Sequence, residues 1–266
     1  MKILSMNLNC FSRLDFFDYQ KRTKKQKAIQ RDNVNKVIEH IKNERKDIDI
    51  FLFQEVVGGD IGSDFIKKFE DLDFLTFYCS DSLGTPYLRN VIAVNKNNFL
   101  SDIVEVENIF SEMYNRWVEI RFSFGNEKIY LLNYHRKDVN DIDFFCRYMT
   151  RRRKAFAIVM GDLNAASKAD RADLSKVKKP TLLENERFLD FFRIFEFTNI
   201  GDGKYTYYND KAKRDIKDGR RLDHCFISQN VRKTFNCKGY TDEIVNALVH
   251  SDTGFTDHSA IILEIN

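Results

Sequence analysis

The chain has 266 residues, with 43 Lys and Arg against 40 Asp and Glu, which gives a formal net charge of +3 at pH 7. Its 43% hydrophobic and 31% charged residues are typical of a globular protein and exclude a disordered chain. No apolar run reaches the roughly 20 residues that span a bilayer, and the first residues lack the apolar stretch of a secretory signal. Because the five Cys are scattered without a CxxC pair, the sequence predicts a cytoplasmic protein without a disulfide framework.

Short apolar runs rich in β-branched and aromatic residues recur along the chain and predict buried strands. In chain order these runs are 3–4, 48–53, 91–94, 117–122, 129–132, 156–160, 225–227 and 260–265. Between them, apolar residues at the i, i+3, i+4, i+7 spacing of an amphipathic helix occur within 34–41, 142–149 and 188–195. This order predicts an α/β fold in which helices cover two sheets. Since no linker or repeat divides the chain, we expect one domain over residues 1–266.

Charge is unevenly distributed along the chain. Residues 47–81 are acidic, whereas basic residues cluster at 21–31, 151–154 and 204–221. Such basic clusters can hold a polyanion against one face of a protein, but they also form ordinary solvated surfaces. The run Tyr205-Thr206-Tyr207-Tyr208 has a similar ambiguity, since its rings could stack on a nucleobase or pack within a strand.

Polar residues that could carry chemistry lie directly beside six of the predicted strands. In chain order they are Asn7, Asn9, Glu55, His135, Asp162, Asn164, Asp223, Asp257 and His258. A residue that ends one strand and a residue that begins its antiparallel neighbour lie at the same edge of a sheet. The sequence therefore predicts that these side chains converge at one edge of the sheets, which we call the rim.

Carboxylates and amides in this set suit a hard divalent cation and a hydrolytic water. Mg²⁺ prefers oxygen ligands, often one or two carboxylates together with waters and a substrate phosphate. Glu55, assisted by Asn7 or Asn9, is expected to supply the protein's share of these ligands. Asp162 is expected to orient and deprotonate a water for in-line attack on phosphorus.

The remaining residues suit stabilisation of a phosphoryl transition state. Asp223 is expected to hydrogen-bond His258 and so fix the tautomer of its ring. Asn164 and His135 are expected to stabilise charge on the phosphoryl oxygens. Each of these residues also has a structural interpretation, as a turn former or as a hydrogen-bonded partner in the core.

The ordered set Asn7-x-Asn9, Gln54-Glu55, His135, Gly161-Asp162-Leu163-Asn164, Arg221-Leu222-Asp223 and Asp257-His258 resembles the endonuclease/exonuclease/phosphatase superfamily. This superfamily includes the DNase I-like nucleases, and the resemblance spans nearly the whole chain. It implies a four-layer α/β sandwich in which two mixed, mostly antiparallel sheets are flanked by helices. It also implies a Mg²⁺-dependent phosphoesterase, with Mn²⁺ as a possible substitute.

By position, the resemblance assigns three kinds of role. The implied metal ligands are Asn7, Glu55 and Asp257. The implied catalytic residues are His135, Asp162, Asn164, Asp223 and His258. The implied substrate contacts are Asn9 and Arg221.

Three differences separate this chain from the pattern of the repair nucleases in this superfamily. Those enzymes usually carry Asp and then Gly where this chain has Asn9 and Cys10, and they tend to carry Lys at Val57. They also often use Tyr at the position of His135. These departures argue against an abasic-site endonuclease and leave phosphoester hydrolysis intact.

Three functions remain open from the sequence. The first is a Mg²⁺-dependent nuclease acting on DNA or RNA, which the basic stretches favour because they could hold a phosphate backbone. The second is a phosphoesterase for a small molecule, a phospholipid or an inositol phosphate, and the third is a non-catalytic binding module on the same fold. For the first we expect a monomer that binds nucleic acid as its substrate.

Overall fold

The computed structural model describes residues 1–11, 23–78, 88–97, 101–106, 116–136, 142–172, 174, 178–208, 219–242, 256 and 258–266. The helices within these ranges are α1 (Lys24–Glu44), α2 (Asp60–Glu70), α3 (Ile142–Arg152), α4 (Lys179–Ile194) and α5 (Gln229–Thr234). The strands are β1 (Lys2–Asn7), β2 (Ile50–Val56), β3 (Phe74–Tyr78), β4 (Arg89–Asn95), β5 (Ser101–Glu105), β6 (Trp117–Phe124), β7 (Glu127–Tyr134), β8 (Phe156–Asp162), β9 (Phe197–Asn199), β10 (Tyr207–Tyr208), β11 (Gly219–Arg220), β12 (Asp223–Ser228), β13 (Cys237–Thr241) and β14 (Ile261–Ile265).

Twelve of the strands in these described ranges form two six-stranded sheets. Sheet 1 has the order β13-β14-β1-β2-β4-β3, and sheet 2 has the order β5-β6-β7-β8-β12-β9. The pairs β1–β2 and β7–β8 are parallel, whereas the other neighbours in both sheets are antiparallel. Both sheets are therefore mixed and mostly antiparallel, as the family resemblance implied.

Successive side chains of each strand point to opposite faces of its sheet, so both faces of each sheet are packed. The fold therefore has four layers, which are helices, sheet 1, sheet 2 and a second set of helices. In β2, Leu52 points into a core between the two sheets, where Met160 of sheet 2 also packs. The neighbouring Phe53 points the other way and packs with Phe65 of α2. On the far side of sheet 2, Phe192 of α4 packs in a third core. The uninterrupted apolar runs of the sequence thus mark strands that are buried on both faces.

All eight predicted strand runs overlap strands, and the three predicted helical stripes overlap α1, α3 and α4, with at most two predicted residues beyond the end of an element. Helix α2 was not predicted, because it lies in the acidic stretch 47–81. Its buried residues Ile61, Phe65, Ile66 and Phe69 nevertheless follow a helical spacing. The strands β3, β5 and β13 were also missed, because these edge strands are short and partly exposed and so lack a continuous apolar run. Within the part of the chain that the structure describes, no helix is long and apolar enough to cross a membrane.

Candidate active site

Strand register brings the predicted site residues to one edge shared by both sheets. At the carboxyl ends of the parallel strands β1 and β2, Asn7 is paired with Gln54. In sheet 2, Asp162 at the end of β8 is paired with Asp223 at the start of the antiparallel β12. These pairings bring Asn7, Asp162 and Asp223 to the strand ends at which the sequence predicted convergence.

Asp162 lies at the centre of this rim and is 1% exposed. Its Oδ2 accepts a hydrogen bond from Asn7 Nδ2 at 2.9 Å, and its Oδ1 accepts one from the Asn164 N–H at 2.8 Å. Two imidazoles face the same carboxylate, with His135 Nε2 at 3.8 Å and His258 Nε2 at 4.0 Å from Oδ2. Asp162 thus contacts residues from both sheets and from both ends of the sequence.

Burial raises the pKa of Asp162 to about 6. Removal of water from the carboxylate is the largest cause, His258 opposes it, and the nearby charge of Asp223 adds to it. A carboxyl group with such a pKa exchanges its proton close to neutral pH, which is the property that a general base requires.

Glu55 approaches the same cluster from sheet 1. Its Oε1 is 3.4 Å from His135 Nε2, and its side chain is 20% exposed. It lies in a β-bulge, where the register between β2 and β4 shifts after Phe53, and its φ of 54° is in the left-handed region. Because a bulge redirects side chains at the end of a strand, this irregularity accounts for a carboxylate that points to the rim.

Asp223 and His258 form the hydrogen-bonded pair that the sequence predicted. His258 Nδ1 is 3.0 Å from Asp223 Oδ2, and both residues are buried. Two threonines hold the backbone on either side of this pair: Thr206 Oγ1 accepts the N–H of Asp223 at 3.1 Å, and Thr256 Oγ1 accepts the N–H of His258 at 3.2 Å. Sequence reasoning assigned neither threonine a role, although Thr256 directly precedes Asp257 and Thr206 lies in the aromatic run 205–208.

The Gly161-Asp162-Leu163-Asn164 motif requires its glycine for a close approach between strands. Gly161 has a φ of 142°, and a Cβ at this position would lie 2.2 Å from the Tyr134 carbonyl oxygen. The ends of β7 and β8 can therefore come together only without a side chain here, and this approach brings His135 beside Asp162. Asn164 Nδ2 completes the contact at 3.1 Å from His135 Nε2.

Below the rim, buried amides connect the two sheets. Gln54 Nε2 of sheet 1 donates to Asn133 Oδ1 of sheet 2 at 2.7 Å. Asn133 Nδ2 donates to the carbonyls of Phe53 and Val91 at 2.9 Å each, and Asn90 Nδ2 donates to the Asn133 carbonyl at 3.1 Å. This inter-sheet amide bridge fixes the separation of the strand ends. Its signal in the sequence is a polar residue that interrupts an otherwise apolar strand.

The remaining predicted residues are less closely connected to the cluster. Asn9 contacts it through its N–H, which donates to Asn7 Oδ1 at 2.8 Å. The Arg221 guanidinium pairs with Asp170 and lines a separate cleft of about 620 Å³ against α4, and none of its described contacts is with the cluster. Asp257 lies outside the described residues, so its predicted metal ligation stays a prediction.

The basic stretches differ in their relation to the rim. Residues 151–154 precede β8 at its amino end, which is about 20 Å from Asp162 at about 3.3 Å per residue. There Arg152 pairs with Glu119 at 2.9 Å and stacks on the Tyr130 ring. Arg152 is therefore engaged within the fold, and a substrate contact by the rest of this stretch stays a prediction. Most of 204–221 lies outside the described residues, whereas Tyr207 is described and its ring lies 4.9 Å from that of His258.

The donor set of the rim fits a hard divalent cation. Among the described residues, ligand atoms of Asp162, Asp223 and His258 lie within 4.8 Å of one another. Oδ1 of Asp223 is buried and has no hydrogen-bond partner in the described part of the chain. Together with the partly exposed carboxylate of Glu55, these groups are dominated by oxygen, which Mg²⁺ and Mn²⁺ prefer.

Comparison with known proteins identifies the family. A family model described as "Endonuclease/Exonuclease/phosphatase family" matches residues 4–258. The chain belongs to this family. Its members hydrolyse phosphoesters, so the family confirms the prediction of a phosphoesterase, and the four-layer architecture agrees with it.

Solved structures of similar fold cover the whole chain. An AP endonuclease from Archaeoglobus fulgidus has a TM-score of 0.68 at 16% identity, with 100% of this chain and 99% of that chain covered. A 3'-5' exonuclease, NExo, from Neisseria meningitidis has a TM-score of 0.63 at 16% identity, with 100% of both chains covered. The endonuclease domain of TRAS1, a telomere-specific non-LTR retrotransposon, has a TM-score of 0.61 at 18% identity over 100% and 97% of the two chains. No curated protein sequence matches significantly.

Proposed function

We propose that this family member is a divalent-metal-dependent phosphodiester hydrolase that acts on nucleic acid. The observation that carries the proposal is the placement of two carboxylates around one imidazole. Glu55 Oε1 and Asp162 Oδ2 lie 3.4 and 3.8 Å from His135 Nε2, next to the Asp223–His258 pair. This arrangement offers a cation ligand, a base and a charge stabiliser within one rim.

Glu55 and Asn7 would hold the cation, with Asp257 as a further ligand. The Glu55 carboxylate is partly exposed and so accessible to a hydrated ion. When bound, Mg²⁺ or Mn²⁺ would act as a Lewis acid that neutralises charge on the phosphoryl oxygens.

Asp162 acts as the base toward the attacking water. Asn7 Nδ2 and the Asn164 N–H each donate to one of its carboxylate oxygens and so fix the orientation of the carboxylate. The oxygen of the water forms the new bond to phosphorus, its proton passes to Asp162, and the bond from phosphorus to the leaving oxygen breaks. The raised pKa of Asp162 makes it a stronger base than an exposed Asp.

His258 and Asn164 stabilise the charge that develops on the phosphoryl group. Because His258 Nδ1 donates to Asp223, its Nε2 is the nitrogen that faces the reacting centre. A protonated His258 donates from Nε2 to a phosphoryl oxygen, and the carboxylate of Asp223 stabilises the positive ring. Asn164 and His135 contact each other beside Asp162, where the phosphoryl group would lie.

Two surface features beside the rim favour nucleic acid as the substrate. The first turn of α1 carries the exposed bases Lys24 and Lys25, and the helix reaches the rim where Gln30 Nε2 donates to the Cys10 carbonyl at 2.7 Å. The half-buried ring of Tyr207 lies against His258. Basic side chains bind a phosphate backbone, and an exposed ring face stacks on a base.

A substrate panel tests this proposal. Purified protein is incubated with supercoiled plasmid, single-stranded RNA and a bis-aryl phosphodiester, each in the presence of Mg²⁺, Mn²⁺ or EDTA. We expect cleavage of a nucleic acid that EDTA abolishes and that Glu55→Gln strongly reduces. Turnover of the small diester alone would indicate a small-molecule phosphoesterase instead of a nuclease. Folded protein that cleaves none of these substrates would contradict the proposed hydrolase.

A further inference from the structure

The chain makes a left-handed turn directly after β1, beside the rim. Asn9, Cys10 and Phe11 have φ values of 42°, 58° and 56°. Residues other than glycine rarely adopt these positive φ values. Three such residues in succession keep this backbone conformation only where surrounding contacts hold it. We refer to residues 9–11 as the left-handed turn.

Two buried amides of α1 hold this turn in place. Gln30 Nε2 donates to the Cys10 carbonyl at 2.7 Å, and Asn33 Nδ2 donates to the Phe11 carbonyl at 2.8 Å. Gln30 is 0% exposed and Asn33 is 4% exposed. Since they lie three residues apart, both side chains project from the same face of the helix. The two amides therefore satisfy consecutive carbonyls of the turn.

The left-handed turn also contacts two residues of the proposed cation site. The N–H of Asn9 donates to Asn7 Oδ1 at 2.8 Å, and this fixes the amide whose Nδ2 donates to Asp162. Cys10 Sγ lies 3.8 Å from Glu55 Oε2. The turn thus contacts the carboxylate and the amide that are proposed to hold the ion.

We infer that Gln30 and Asn33 are positioning residues of the cation site. They hold the left-handed turn, and the turn sets the orientation of Asn7 and Glu55. This inference rests on the proposed function, because it concerns the same cation. Neither residue contacts the substrate or the reacting atoms, and both act through the residues that they support.

Direct measurement of Mn²⁺ binding without substrate tests the inference. Gln30→Ala and Asn33→Ala are compared by isothermal titration calorimetry with Asn35→Ala, a matched control at an exposed position of the same helix. We expect the dissociation constant for Mn²⁺ to rise about tenfold or more in the two test variants, the usual effect of removing the support of a metal ligand. The control should bind as the wild type does. In nuclease assays, the half-saturating Mn²⁺ concentration should change more than the rate at saturation.

The outcomes separate this inference from the proposed function. Wild-type protein that binds no Mn²⁺ would overturn both. Wild-type binding together with unchanged affinity in folded Gln30→Ala and Asn33→Ala would overturn the inference alone. If either variant loses its cooperative unfolding transition, Cys10→Ala decides the question, because it removes the thiol contact and keeps both carbonyls. It should weaken Mn²⁺ binding about twofold to tenfold, comparable to one hydrogen bond, and unchanged affinity would overturn the inference.

Discussion

The two halves of the rim differ in burial and in backbone conformation. The half from sheet 2, with Asp162 and Asp223, is fully buried, and its carboxylates are held by hydrogen bonds. The half from sheet 1 presents Glu55, which is partly exposed and lies in a bulge beside a left-handed turn. Burial raises the pKa of a carboxyl group, whereas exposure keeps it accessible to ions. The difference assigns proton transfer to the sheet 2 half and cation binding to the sheet 1 half.

The largest effect is expected in the buried half. Asp162→Asn and His258→Ala should each lower the rate of cleavage at least about 100-fold, because a positioned base or charge stabiliser contributes that much. Circular dichroism and thermal unfolding would show whether the variants are folded. A rate near that of the wild type in either folded variant would remove that residue from the mechanism. Mn²⁺ affinity should change less in His258→Ala than in a variant of Glu55.

The partly exposed half should respond through the cation. Glu55→Gln should weaken Mn²⁺ binding at least about tenfold, since even the outer partners of metal ligands contribute that much. Calorimetric titration of the folded variant measures this change. Glu44→Gln, on α1 away from the rim, is the matched control. Equal affinities of the wild type and Glu55→Gln for Mn²⁺ would show that Glu55 does not bind the cation. That result would contradict the assignment of cation binding to the sheet 1 half.

The pH profile reports on the buried base. Because the pKa of Asp162 is raised to about 6, its base form should increase about tenfold between about pH 5 and pH 7. The rate at saturating Mn²⁺ should rise correspondingly. A profile that is flat over this window would contradict the role of Asp162 as the base.

The same pKa also affects stability. The value in the folded protein exceeds the ordinary value of 3.8, so the folded state binds the extra proton between about pH 4 and pH 6. The contribution of Asp162 to the free energy of unfolding therefore declines as the pH rises through this window, by at most about 3 kcal/mol. Denaturant unfolding at several pH values should show a smaller decline in Asp162→Asn than in the wild type. Identical pH dependence in the two proteins would contradict the raised pKa.

The smallest effect is expected at the edge of the rim. Tyr207→Ala should weaken binding of single-stranded nucleic acid about fivefold or more, the lower end of the effect of one base stack. Tyr207→Phe keeps the ring and should bind as the wild type does. Fluorescence anisotropy with a labelled oligonucleotide measures both. Equal loss in the two variants would assign the effect to the hydroxyl group instead of stacking.

Much of the fold could be predicted because the strands in the middle of each sheet are buried on both faces. The runs at 48–53 and 156–160 became β2 and β8, whose apolar residues leave little ambiguity. The order of polar residues beside these strands predicted which side chains meet. The bulge at Glu55 and the left-handed turn could not be predicted, since no glycine marks either position and tertiary contacts hold both conformations. Gln30 and Asn33 were missed for a related reason, because polar residues on an amphipathic helix ordinarily face water.

The inter-sheet amide bridge has a consequence for how distant substitutions affect activity. The two halves of the rim belong to different sheets. The distance between them therefore depends on the thickness of the apolar core that separates the sheets. Shortening a side chain in that core, for example Met160, would let the sheets settle closer on one side. Displacements of about 1 Å are enough to impair a positioned reaction. The Gln54–Asn133 hydrogen bond resists such settling and so limits how far a change in the apolar core alters the separation of the two halves.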